Sequence, residues 1–99
     1  MIKEYIKSNQ ERFLSELFDL LRIPSVSADS RNRGDVRKAA EFVLQKLKDA
    51  GAEKAELCET KGHPIVYGEK MVNRTFPTVL VYGHYDVQPV DPLITVRPT

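Results

Sequence analysis

The apolar run Thr78-Val79-Leu80-Val81-Tyr82 breaks at Gly83 into His84-Tyr85-Asp86-Val87-Gln88-Pro89, and no other feature constrains this chain as strongly. A stretch of mostly β-branched or aromatic side chains predicts a strand buried on both faces, as in the middle of an α/β sheet. Gly83 lets the backbone leave the sheet where the first ionisable groups appear. Residues i and i+2 of an extended chain project to the same side, which puts His84 and Asp86 on one face. Their place is the carboxyl edge of the sheet, where open α/β folds bind ligands. A neutral imidazole can bind a metal through one ring nitrogen while a carboxylate holds the other N–H, so the pair is a candidate metal site. The pattern is short, and a solvated or hydrogen-bonded histidine satisfies the same spacing.

Upstream the periodicity is helical. Ser8-Asn9-Gln10-Glu11 fits a capping box. Phe13, Leu14, Leu17, Phe18, Leu20 and Leu21 then form an apolar stripe expected to pack in a core, with Glu11, Arg12, Glu16 and Asp19 facing water. Pro24 disfavours helical geometry at Ile23, so this helix should end near Arg22. Ser25, Ser27 and Ser30 lie in a polar loop running to Gly34. No Gly-x-Ser-x-Gly elbow is present, and these serines read as turn residues instead of nucleophiles.

A second helix is expected over about 35–50, stopped by Gly51. Val36, Ala39, Ala40, Val43 and Leu47 make its inward face, while Arg37, Lys38, Lys46 and Lys48 form a solvated one. Strand candidates follow at 53–59, 64–72 and 77–82, the last two pairing as a hairpin across Asn73-Arg74-Thr75-Phe76. Gly68 inside a strand predicts a bulge or a close backbone contact. His63, between Gly62 and Pro64, sits in a loop and reads as a poor ligand candidate.

Ninety-nine residues suffice for one small domain, which buries roughly 60–65% of its unfolded-chain surface. The hydrophobic share of 41% and charged share of 29% are those of an ordinary globular protein. A formal net charge of +1 gives no reason to expect nucleic acid or an acidic membrane surface as partner. No run is long enough to span a bilayer, and the amphipathic N-terminus carries no signal-peptide apolar core. The lone Cys58 cannot form an intramolecular disulfide, which suits the cytoplasm, and reads as a small hydrophobe.

The string Leu80-Val81-Tyr82-Gly83-His84-Tyr85-Asp86-Val87-Gln88-Pro89 resembles the metal-binding signature of the zinc dipeptidase and deacylase family. That family includes carnosinases, cytosolic non-specific dipeptidases, acetylornithine deacetylase and succinyl-diaminopimelate desuccinylase. With Val90-Asp91-Pro92-Leu93 following, the string is most similar to the dipeptidase branch. Phe13-Leu14-Ser15-Glu16-Leu17, Leu20-Leu21-Arg22-Ile23-Pro24-Ser25-Val26-Ser27 and Ala39-Ala40-Glu41-Phe42-Val43 resemble the family's first helix, its exit turn and its next helix. The likeness covers about residues 6–93.

The resemblance implies that His84 is a ligand to one of two zinc ions and that Asp86 is the carboxylate orienting it. It further implies two metals sharing a bridging water acidic enough to supply hydroxide near neutral pH. Substrates would be small peptides, N-acyl amino acids or related amides. The family draws its bridging Asp, a Glu-Glu pair, a further acidic ligand and a last His from sequence downstream of the part matched here. One imidazole falls short of the three or four protein ligands of a zinc site. The isolated chain is therefore expected to be inactive.

The expected architecture is α/β. Two N-terminal helices and about three strands would form the incomplete front part of a zinc-exopeptidase-like α/β/α catalytic domain over residues 1–93. The tail at 94–99 departs from the branch's usual sequence, and the chain contains no Trp; either the likeness ends at Leu93 or the last residues come from a shifted reading frame, a broken gene or a gene-model error. Apolar residues meant for a larger core would face water or another chain. Two further readings are a complementing or regulatory piece that associates with a chain carrying the rest of the site, and a small non-catalytic α/β interaction module. In the latter, His84 and Asp86 form only a structural hydrogen bond.

Overall fold

The computed structural model describes residues 1–89, so the expected boundary at Leu93 and the 94–99 tail lie outside the described residues. The order of elements is α1 (Ile2–Ser8), α2 (Gln10–Leu21), a 3-10 turn (Ser30–Asn32), α3 (Arg33–Asp49), β1 (Lys54–Cys58) and β2 (Ile65–Glu69).

Helix α3 is the organising element. The 3-10 turn that leads into it is capped by Asp29, whose carboxylate accepts the Arg31 backbone N–H at 2.9 Å. Hydrogen bonds from the Arg31 side chain and backbone draw that carboxyl down to about 2. The exit of α3 is a Schellman closure: the Gly51 N–H reaches the Lys48 carbonyl and the Ala52 N–H reaches Leu47, each at 3.0 Å. Gly51 adopts φ 97°, the left-handed geometry that glycine takes without a Cβ penalty, so the expected stop is where the sequence puts it. Val36, Ala39 and Ala40 are buried, while Val43 and Leu47 are half-buried, all on the face toward the sheet.

Strands β1 and β2 pair antiparallel, with Lys54 opposite Glu69, Ala55 opposite Gly68 and Cys58 opposite Ile65. A Cβ on Gly68 would lie 2.9 Å from Leu47 Cδ1, which is the close contact expected of a glycine inside a strand. Arg37 extends from α3 to Glu59, just beyond β1, with two parallel hydrogen bonds of 3.1 and 2.7 Å.

The expected hairpin between 64–72 and 77–82 is not formed; β2 takes β1 as its partner. Residues 73–76 do make a turn, with the Phe76 N–H donating to the Asn73 carbonyl at 3.0 Å and the Thr75 N–H to the Asn73 side chain at 2.9 Å. The chain leaves that turn without pairing. Val79 is 82% exposed and Leu80 91%, against the expectation of a strand covered on both faces. A strand of that composition needs sheet neighbours and covering helices, and the described residues provide neither. The α/β class holds with two strands in place of three.

The N-terminal helix also differs in detail. Ser8 ends α1 instead of capping a helix, and Asn9 separates α1 from α2 with its side-chain amide on the Tyr5 carbonyl at 2.8 Å. Helix α2 stops at Leu21, as Pro24 requires. Its stripe was expected in the core, yet Leu14, Leu17, Phe18 and Leu21 are each about half exposed and no α2 residue is buried. An apolar stripe is buried only when another element covers it, and the inward face of α3 is already occupied by β1 and β2. These uncovered residues answer the expectation that a larger core's apolar side chains would face outward. No helix among the described residues is long and apolar enough to cross a membrane.

Candidate metal centre

Residues 84–87 are cross-tied to two distant loops. The hydroxyl of Ser25, a fully buried residue just past the end of α2, donates to the Tyr85 carbonyl at 3.2 Å. The Val87 N–H donates to the Ser25 carbonyl at 3.0 Å, and Val26 and Val87 form a parallel β-bridge. From the loop before β2, the buried Pro64 accepts the Tyr85 hydroxyl through its carbonyl at 2.6 Å. His63 Nε2 lies 3.1 Å from the Ser27 carbonyl. A carbonyl only accepts, so Nε2 of His63 carries the proton there.

On this platform His84 and Asp86 meet as their spacing suggests. His84 Nδ1 is 2.8 Å from Asp86 Oδ1, and the Ser27 hydroxyl donates to Asp86 Oδ2. The Ser27 hydroxyl first, and the His84 imidazole second, hold the Asp86 carboxyl below the usual carboxylate range. Asp86 is therefore an acceptor at neutral pH, and the proton of the pair belongs to His84 Nδ1. In a neutral imidazole this leaves Nε2 with a free lone pair, on a side chain that is 79% exposed. Burial, aided by the neighbouring Asp86 charge, pushes the Tyr85 phenol up, so its hydroxyl stays a donor to Pro64.

His84 opens onto a cleft shared with Val36, Val43, His63, Ile65 and Tyr82. The donor chemistry fits one coordination position of a zinc ion: a neutral imidazole nitrogen, aimed by a carboxylate. Among the described residues no group of three His, Cys, Asp or Glu side chains comes together as a complete metal site. The two residues singled out in the sequence are thus joined, although from a segment outside any strand and not from a strand end. His63 lies in a loop as expected, with Nε2 committed to Ser27.

Ser25 and Ser27 escaped sequence reasoning, which assigned them to turn chemistry. The only local signal was their i, i+2 spacing, since their partners lie about sixty residues on, at |i−j| of 60 and 59.

No family model matches the chain. It is 35% identical over 96 residues to the Cys-Gly metallodipeptidase DUG1 of Candida albicans, covering 85% of this chain and 20% of that protein. Its identity to the Schizosaccharomyces pombe Cys-Gly metallodipeptidase is also 35% over 96 residues, covering 87% and 20%. The solved structure of the Saccharomyces cerevisiae dipeptidase Dug1p superposes with a TM-score of 0.80 at 31% identity, over 88% of this chain and 20% of that one. The chain spans about one fifth of the length of the curated relatives it matches. Shared sequence and a shared backbone over most of its residues make this α/β chain a relative of the metallodipeptidases.

Proposed function

We propose that this chain is the part of a dinuclear zinc dipeptidase that supplies His84 as ligand to one of the two zinc ions, with Asp86 as the carboxylate that orients it. The observation that carries this reading is the 2.8 Å contact between His84 Nδ1 and Asp86 Oδ1, which turns Nε2 into the free donor. Zinc bound in such a site would polarise the substrate's amide carbonyl and lower the pKa of a bound water toward neutrality. The chain's own part is to present Nε2 and to keep the Nδ1 proton on the side of Asp86. Ser25, through Tyr85 and Val87, keeps the loop docked.

The substrates of the complete site are dipeptides, with N-acyl amino acids and related amides in the same chemical class. The names of the relatives, all Cys-Gly metallodipeptidases, support that assignment. A single imidazole cannot hold a catalytic zinc against the three or four ligands such sites use, so the chain alone is inactive. A cytoplasmic setting suits its unpaired Cys58.

A second reading is favoured by the exposed run at 79–82 and the uncovered α2 stripe. In it, the chain assembles with a separate polypeptide that carries the remaining ligands, and activity arises only in the mixture.

The test places residues 6–89 in the aligned segment of the Saccharomyces cerevisiae metallodipeptidase. The chimera should bind zinc and cleave Cys-Gly. His84→Ala should lose zinc and nearly all of the rate, and Asp86→Ala should cost about 10–100-fold. An active chimera in which both variants keep normal zinc content and rate would overturn the assignment.

A further inference from the structure

A carboxylate can aim an imidazole only if its own rotation is held. Asp86 lies on a segment outside any strand, where a free side chain would sample several staggered wells and a broad terminal torsion. Its two oxygens have different partners. Oδ1 takes the Nδ1–H of His84 at 2.8 Å, and Oδ2 takes the hydroxyl proton of Ser27.

Ser27 is itself held from two sides. Its carbonyl accepts His63 Nε2–H at 3.1 Å, and its neighbours Ser25 and Val26 are tied to Tyr85 and Val87. The Tyr85 hydroxyl returns to Pro64, the residue after His63, at 2.6 Å. Ser27, Asp86, Tyr85, Pro64 and His63 therefore form one closed circuit joining three loops. A hydroxyl donating to an ionised carboxylate is among the stronger neutral-donor hydrogen bonds, and both Ser27 and Asp86 are partly buried while His84 projects into solvent.

We propose that Ser27 is a positioning residue for the metal ligand: its hydroxyl pins the Asp86 carboxylate, so that Oδ1 keeps the proton on His84 Nδ1 and Nε2 stays free for the metal. The assignment of the metal rests on the reading of His84 given above; the pinning itself does not. A serine that served only the turn would hold the loops together and leave the imidazole tautomer untouched.

The full 99-residue chain, labelled with ¹⁵N-histidine, gives the test by NMR at a pH above the ordinary imidazole value of about 6.5. In the native chain His84 should be predominantly Nδ1-protonated. Ser27→Ala should shift His84 toward the Nε2-protonated tautomer and lose the Nδ1–H resonance to exchange with water, with the Val87 amide still protected. Ser27→Thr, which keeps the hydroxyl, should restore the native tautomer. Zinc added to the chain should perturb His84 Nε2, with up to about 10-fold weaker affinity in Ser27→Ala, the low end for loss of an outer partner of a metal-binding imidazole.

A native tautomer ratio in Ser27→Ala, with Val87 still protected, overturns the proposal. If Ser27→Ala undocks the loop, Ser27→Cys decides, because a thiol preserves the size but donates only weakly. A native tautomer in that variant overturns the proposal, and a shifted tautomer on a docked loop supports it. Unchanged zinc content and rate in the His84→Ala chimera, while the tautomer of the 99-residue chain responds to Ser27 as described, removes the metal assignment and leaves the pinning intact.

Discussion

Replacing Val36 by Ala tests where the stability of this chain resides. Val36 is 1% exposed and is, with Ala39 and Ala40, a buried hydrophobic residue of the described core. Val36→Ala removes two carbons, worth ~0.8 kcal/mol each in transfer, and the cavity left between α3 and the sheet adds to that loss. The better helix propensity of Ala returns about 0.5 kcal/mol, leaving a net cost of about 2 kcal/mol. Leu17→Ala removes three carbons from a side chain whose residue is already 47% exposed. Half of the transfer energy is therefore never gained, no enclosed cavity opens, and the cost is about 1 kcal/mol. For a domain this small, each kcal/mol moves the melting temperature by roughly 4–8 °C. Val36→Ala should thus melt about 8–16 °C lower and Leu17→Ala about half as far, as followed by far-ultraviolet circular dichroism. Equal or greater loss in Leu17→Ala would refute the reasoning, because it would put the stabilising interface on α2 instead of on the inward face of α3.

Gly51→Ala should cost about 1–2 kcal/mol, since its φ of 97° forces a Cβ into the left-handed region; Gly51→Asn should recover part of the loss, and an unchanged melting temperature would refute the Schellman closure of α3. Arg37 holds the Glu59 carboxyl below its ordinary value, so this contact stabilises the fold above about pH 4.3 and is lost as pH falls through the lower folded value. Glu59→Gln should flatten that part of the melting profile between neutral and acid pH. Asp86→Ala, measured by zinc titration of the His84 resonances in the intact chain, should weaken the interaction about 10–100-fold through loss of the Nδ1–H acceptor. Equal affinity in the two chains would show that Asp86 does not orient the imidazole.

What the residues determine by themselves are features settled within a few positions. Helix α3 and its stop at Gly51 follow from helical periodicity and from one residue's freedom to take a positive φ. The end of α2 follows from the steric demand of Pro24 on Ile23. The contact between His84 and Asp86 follows from a spacing of two residues, and the close approach at Gly68 from the absence of a side chain there. Even locally, two capping candidates compete: Asn9, one residue beyond Ser8, makes the break between α1 and α2 that the capping box assigned to the serine.

Apolar patterning identifies which side chains seek cover, but not whether cover is present. The stripe on α2 and the run at 79–82 carry clear burial signals and remain exposed among the described residues, because burial depends on elements that periodicity cannot supply. The docking of residues 25–27 against 85–87 is decided only by the tertiary structure. It joins segments separated by about sixty residues, and closing a loop of that length is an entropic cost met collectively by contacts no local window contains. The metal-ligand candidate is written in three consecutive residues, whereas the frame that holds it exists only once the chain has folded.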